Sequence, residues 1–181
     1  MAAENMNPIA LRSKNWIVES LFDLLAVKPL NRITISEIAE NAELDRRTFY
    51  RHFTTKEEAI SFYIHDMSKQ YVETMISRPT DNYSIAKSFF EICVRMKETL
   101  RILHKQNLLY LFLLDLNVIF PKYQQQFASA EELGHMNREY ILAYHIGGFW
   151  NLLVKWLEGD CRKTPEQMGE IVVQMFSAQQ I

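Results

Sequence analysis

Five glycines and five prolines in 181 residues leave this chain few places to turn sharply. That is less than half of the roughly 12% usual for the pair. Hairpins and bulges call for such residues, and so do the glycine loops that cradle nucleotide phosphates. The shortage predicts an all-α chain and speaks against all-β and Gly-loop nucleotide folds. The length suits one core, or one core with a small appended module. Cys93 and Cys161 are too few and too far apart for a disulfide scaffold or a four-ligand zinc site, and the opening MAAENMNPIA has no apolar signal core. A reduced, cytoplasmic protein without cofactor or metal is expected. The greasiest stretch, LLYLFLLDLNVIF from Leu108 to Phe120, holds 13 residues with Asp115 and Asn117 inside it, whereas a membrane span needs about 20. It reads as a core helix, so no membrane is expected.

The pattern resolves into eight or nine helices. Ile17, Leu21, Leu24 and Leu25 recur at helical spacing from about Ile9 to Ala26, with Glu19, Ser20 and Asp23 between them, and Pro29 closes that segment. Thr34 to Glu37 forms a capping box that opens a short helix, Ser36 to about Ala42. Asp45 is placed to cap a second, Arg46 to His52, and Thr55 to Glu58 opens a long helix reaching about Ser77. Further helices are expected from Tyr83 to about Lys105 and from Asn107 to a break at Pro121. Residues 122 to 136 are ambiguous. The last two helices run from about Asn137 to Leu157, ended by Gly159-Asp160, and from Pro165 to about 177. The predicted units are 9–56 and 57–181, sharing the helix that starts near Thr55. The whole chain carries a formal charge of −2, but residues 9 to 56 hold 8 basic and 6 acidic side chains against 12 and 15 in residues 57 to 181, a mildly basic head on an acidic body.

The informative stretch is ITISEIAENAELDRRTFYRHFTTKEEA, Ile33 to Ala59. Phe49 and Phe53 stand four apart and must face inward together. At 100° per residue, Arg47 and Arg51 then point almost directly away, with Thr48 and Tyr50 on the flanks. Long donors able to fork onto guanine, a hydroxyl or methyl group, and no carboxylate are what a helix needs in the DNA major groove. Lys56, in the first turn of the next helix, is unfavourably placed beside the helix dipole unless an anion joins it, and a phosphate would serve.

On Thr34-Ile35, Ile38-Ala39, Ala42, Arg46, Thr48-Phe49-Tyr50-Arg51-His52-Phe53 and Lys56-Glu57, the chain resembles the TetR family of bacterial transcription regulators. The resemblance covers about the first 60 residues. It implies a three-helix helix-turn-helix head on a helical ligand-binding and dimerisation domain. It also implies that Arg46, Arg47 and Tyr50 approach bases and that Thr34, Thr48, His52 and Lys56 contact phosphates, with Ser36 and Arg51 as further contacts. The family usually has glycine where this chain has Glu43. A non-glycine residue in a left-handed turn costs on the order of 1 kcal/mol, so the turn is expected to be built slightly differently.

The resemblance further implies pairing through the last two helices, with Gly147, Gly148, Trp150, Asn151 and Val154 on one and Val172, Met175 and Phe176 on the other. Gly147-Gly148 costs about 1 kcal/mol per glycine in a helix, which makes sense if another helix approaches there. Two-fold pairing would set two recognition helices about 34 Å apart and call for a palindromic operator. Aromatic and sulfur side chains on the middle helices are the pocket candidates: Tyr63, Met67, Phe89, Phe90, Cys93 and Met96, then Phe112, Phe120, Tyr123 and Tyr144. Core packing explains each of them as well. An enzyme would need paired carboxylates, a metal-ligand set, a phosphate loop or a serine elbow, and none is legible. The expectation is a homodimeric repressor released from operator DNA by a small, largely apolar molecule. The competing reading is a regulator or co-activator that works through a protein partner.

Overall fold

The structure, a computed structural model, describes residues 8–76, 81–127 and 138–178. Those residues form nine α-helices and no strand: α1 Pro8–Val27, α2 Ile35–Asn41, α3 Arg46–His52, α4 Lys56–Ile76, α5 Asn82–Arg95, α6 Lys97–Lys105, α7 Tyr110–Phe127, α8 Arg138–Glu158 and α9 Pro165–Ala178. A 3-10 turn, Leu30–Arg32, links α1 to α2. The chain divides into two compact units, Met1–Ile64 and His65–Ile181. The expected end of α4 at Ser77 lies outside the described residues, and of 122–136 only the part within α7 is described.

In the first unit α1 buries Ile17, Leu21 and Leu25 along one stripe, and α2 and α3 pack on it. Ile38 of α2 and Phe49 of α3 are fully enclosed, each contributing about 1.5–3 kcal/mol by the apolar surface it removes from water. Ser20, expected on the polar side of α1, is buried instead. Its hydroxyl donates to the Ile38 carbonyl at 2.8 Å and accepts from Asn41 Nδ2 at 3.2 Å. A helical wheel assigns serine to water, whereas here its hydroxyl binds a carbonyl where α1 meets α2.

Three helices end in the same way. After α2 the Leu44 amide donates to Ala39 O (2.8 Å) and the Glu43 amide to Glu40 O (3.0 Å). Leu108 and Asn107 do the same to Leu103 and His104 after α6, and Cys161 and Asp160 to Trp156 and Leu157 after α8. These are Schellman caps, in which one left-handed residue lets the chain turn back over the last carbonyls. That residue is Glu43 (φ 54°), Asn107 (φ 56°) and Asp160 (φ 59°), the last followed by a second left-handed residue, Cys161 (φ 54°). Gly159-Asp160 ends α8 as expected, and the aspartate, not the glycine, takes the left-handed conformation.

In the second unit α5 lies along α9, joined by Lys87 and Glu166 at 3.0 Å. The two helices approach so closely at Gly169 that an added Cβ would stand 2.8 Å from the Tyr83 ring. The single helix expected from Tyr83 to Lys105 is two, because Met96 (φ −109°, ψ 18°) leaves helical geometry between α5 and α6. No glycine or proline marks that break. On the far side, Leu100 and Leu103 bury α6, and the Arg101 guanidinium binds Asp160 beyond the end of α8. Conversely, α7 continues through Pro121. An interior proline costs about 3 kcal/mol. Its ring is exposed here, and Phe112, Leu116 and Ile119 anchor the helix on the other side.

Candidate nucleic-acid interface

The helix-turn-helix is set by its caps and by two aromatic rings. Thr34 and Glu37 form the full reciprocal box: the Glu37 amide donates to Thr34 Oγ1 (3.2 Å) and the Thr34 amide to Glu37 Oε2 (2.8 Å). Lys28 also binds Glu37, and this contact with the Thr34 bonds holds the carboxyl down at about 2. Asp45 does occupy the N-cap of α3, with extended backbone (φ −69°, ψ 142°), but its side chain makes no capping bond. At the start of α4 the Glu58 amide donates to Thr55 Oγ1 (3.1 Å), and the Glu58 carboxylate accepts from Thr54, one residue before the cap (2.6 Å). Phe49 is fully buried, with Phe53 6.0 Å from it ring to ring and Phe62 5.6 Å beyond. The Lys14 ammonium lies 4.9 Å over the Phe62 ring. With that side of α3 pinned, the other side has to face out.

That outer face carries Arg46, Arg47, Tyr50 and Arg51, all exposed, with Thr48 half-buried beside them and Ser36 exposed on α2. Arg46 donates to the Tyr50 hydroxyl at 3.1 Å and lies over its ring, 5.4 Å from the centroid. No carboxylate among the described residues pairs with Arg47 or Arg51. Three of the unit's acidic residues, Glu19, Asp23 and Glu43, rim an open cleft of about 440 Å³ with Trp16 and Asn41. The face therefore offers unpaired guanidinium donors, whose fork geometry matches guanine edges and phosphates.

The structure corrects one expectation, for the turn, and sets Thr34, His52 and Lys56 in specific local surroundings. Glu43 does not rebuild the turn; it adopts the left-handed conformation that glycine would take, and the turn keeps a regular Schellman form. The Thr34 hydroxyl already donates to Glu37 Oε2 at 2.9 Å, so its proton is committed within the capping box. His52 turns Nε2 into the protein, where it is enclosed without a partner. Burial, then the charges of Arg51 and Lys14, push its pKa down. Lys56 finds two acceptors within the chain: its ammonium donates to the Leu30 and Ile33 carbonyls, both at 2.7 Å. Those carbonyls close the 3-10 turn, and no sequence motif announces them.

In the second unit, Phe89, Phe112 and Phe120 meet Tyr71 and Phe149, neither of which the sequence reading singled out, in one aromatic cluster with ring separations of 5.2 to 6.4 Å. Met67 and Cys93 are buried, burial raises the Cys93 thiol's pKa, and Met96 is half-buried at the α5–α6 break. Phe90 packs edge-on against Trp156 at 5.6 Å. Two pocket candidates fall elsewhere. Tyr63 belongs to the first unit, with its ring 4.9 Å from Phe22, and Tyr144 is exposed on α8. The Tyr123 side chain lies outside the described residues. Of the pairing candidates, Gly148, Asn151 and Met175 are exposed, and Gly147, Trp150, Val154 and Phe176 half-buried. Asn151 Nδ2 donates to the Gly147 carbonyl (2.8 Å), and the Phe176 ring lies 5.8 Å from His145, whose pKa burial lowers. Val172 is 3% exposed, so it is an interior residue of this unit and is not open to a second chain. Among the described residues, no atom beyond their chain neighbours and the adjacent turns of α8 backbone stands within 4 Å of a Cβ built on Gly147 or Gly148. The close helix approach inferred there occurs, within this chain, at Gly169.

No helix among the described residues is long and apolar enough to cross a membrane. Residues 17–59 match the family of bacterial regulatory proteins, tetR family, and residues 96–178 match a transcriptional regulator C-terminal region. No curated protein matches the sequence. Among solved structures, Lin0861 from Listeria innocua is similar with a TM-score of 0.79 at 13% identity, covering 99% of this chain and 97% of its own. The dihydroxyacetone kinase operon activator DhaS follows at 0.62 and 17% identity, covering 93% and 96%. The fatty acid degradation regulator FadR from Bacillus halodurans gives 0.61 and 15%, covering 95% and 96%. At such identities the likeness speaks for the fold alone. With the two matched regions and the exposed basic face of α3, it makes this chain a member of the TetR family, a non-enzymatic transcription regulator with an N-terminal DNA-binding domain.

Proposed function

We propose that the chain acts as a cytoplasmic homodimer that represses transcription from a palindromic operator and is released by a small, largely apolar ligand bound in residues 57–181. The observation that carries this reading is the outer face of α3, where Arg47 and Arg51 stand exposed and without carboxylate partners among the described residues. Arg46, Arg47 and Tyr50 read bases, while Thr48, Arg51 and Ser36 meet the backbone or base edges. Pairing is supported by the bare helix surface around Gly148, flanked on α8 by exposed Tyr144 and Asn151 and on α9 by Met175. Release follows if the ligand binds more tightly to a dimer whose two heads no longer fit successive major grooves.

A gel-shift series on the gene's own upstream DNA tests it. Arg47→Ala should cost about 1–3 kcal/mol in specific binding and far less in non-specific binding. Equal losses in both would remove Arg47 from base reading. Lys56→Ala asks a separate question. If the ammonium serves only the Leu30 and Ile33 carbonyls, the salt slope stays that of the wild type; a phosphate contact would lower it by about one.

The second reading, a regulator or co-activator working through a protein partner, gains support from the likeness to DhaS, a dihydroxyacetone kinase operon activator. A purified dimer that shifts no operator until a second protein is added would favour it.

A further inference from the structure

We infer that the second unit receives an apolar ligand through a head group that donates hydrogen bonds, an alcohol or a protonated amine and not a carboxylate, with Asp115 as its acceptor and the Ser68 hydroxyl as its second partner. The inference rests on the ligand-responsive reading above and names the ligand's chemistry.

Ser68, on α4, is fully buried, and its hydroxyl has no hydrogen-bond partner. Asp115, on α7, takes His65 Nδ1 on its Oδ1 at 2.9 Å, while its Oδ2 is enclosed and unpartnered. Buried polar atoms are nearly always satisfied, so two orphan oxygens in one helix seam call for an explanation. They do share a seam. His65 and Asp115 join α4 to α7 at one level, and the Tyr71 and Phe120 rings join them again at 5.7 Å further along. Ser68 falls between His65 and Tyr71 both along α4 and around it, at 100° per residue. Three residues before Asp115, Phe112 belongs to the aromatic cluster with Tyr71, Phe89, Phe120 and Phe149. A polar end and an apolar wall are thus one helical turn apart on both helices.

The polarity of the end selects the ligand. A carboxylate accepts only, and a hydroxyl both donates and accepts. An alcohol can donate to Asp115 Oδ2 while accepting from Ser68, and an ammonium can donate to both. A ligand carboxylate would set a second anion against Asp115 and leave Oδ2 unsatisfied.

The test uses the full chain and three probes of equal length, 1-octylamine, 1-octanol and octanoate, read by thermal shift and calorimetry at neutral pH. The amine and the alcohol should raise the melting temperature of the wild type and octanoate should not. Asp115→Asn and Ser68→Ala should each weaken octylamine binding at least tenfold, and Asp115→Asn should admit octanoate, because its Nδ2 now donates. Ser68→Ala removes an orphan hydroxyl, so without probe it should melt no lower than the wild type, which separates loss of binding from loss of fold. The inference is overturned if octanoate binds as well as the donors, if no probe shifts the wild type, or if Asp115→Asn keeps its octylamine affinity. Binding without release of DNA in the gel shift would count against the repressor reading and leave the ligand chemistry standing.

Discussion

The α2–α3 hairpin and the α5–α9 pair are both short helical packings, yet they are specified in different ways. In the hairpin, instructions are local: a capping box four residues long, a Schellman turn, and two phenylalanines four apart that decide which way seven residues face. In the α5–α9 pair, the decisive contact joins Tyr83 to Gly169 across 86 positions of sequence, and neither residue carries a mark of its importance. Local instructions leave one face of α3 free, so a DNA-reading surface can be displayed on it. Long-range packing leaves no such freedom, and there a single glycine hydrogen matters.

The largest expected effect breaks the hairpin itself. Phe49→Ala should cost about 3–5 kcal/mol of unfolding free energy, as for other fully buried aromatics, and abolish operator binding. Urea unfolding of the first unit measures it, and a loss below 1 kcal/mol would mean Phe49 does not set the direction of α3. Gly169→Ala comes next. The added methyl meets the Tyr83 ring at 2.8 Å and the Tyr83 carbonyl at 3.2 Å, an overpacking cost of about 1–3 kcal/mol that improved helix propensity offsets only in part. Gly148→Ala is its counterpart. With no neighbour among the described residues within 4 Å beyond the local α8 backbone, the monomer should gain about 1 kcal/mol, while dimerisation measured by ultracentrifugation should weaken if a second copy packs there.

Smaller effects sharpen the same contrast. Glu43→Gly should relieve up to about 1 kcal/mol of left-handed strain, reduced by the greater freedom of glycine in the unfolded chain. Thermal unfolding checks it, and the operator affinity should stay unchanged because the turn is already regular. Glu37 gives the mildest signal. Its carboxyl titrates at about 2 against an ordinary 4.5, since Lys28 and Thr34 favour the charged form. A depressed folded pKa means that the stability it lends is complete above about 4.5 and fades as the pH falls towards 2. Carbon NMR of the side chain should show this, and Lys28→Met should move the titration back towards 4.5.

Much of the head was readable before any coordinates, because caps, turns and the Phe49–Phe53 spacing act within a few residues of where they are written. Four details escaped. Lys56 reaches carbonyls more than twenty residues away, Ser20 bridges two helices, His52 turns inward, and Glu43 accepts a conformation its side chain disfavours. Each depends on a neighbour that is distant in sequence or on a local strain outweighed by packing. In the body, the break at Met96 and the passage of α7 through Pro121 ran against ordinary helix signals. The pocket candidates scattered for the same reason: an aromatic on an apolar helix made both Phe89 of α5 and Tyr144 of α8 plausible, and only packing separates the buried ring from the exposed one.

Order along the chain, helical class and the outward direction of Arg47 and Arg51 followed from amino-acid identity alone, since periodicity and caps are properties of neighbouring residues. Which glycine two helices close upon, which lysine serves a carbonyl, and which buried oxygens lack a partner were settled only when distant segments met. Those outcomes depend on distances between elements, and no spacing within a sequence encodes such distances.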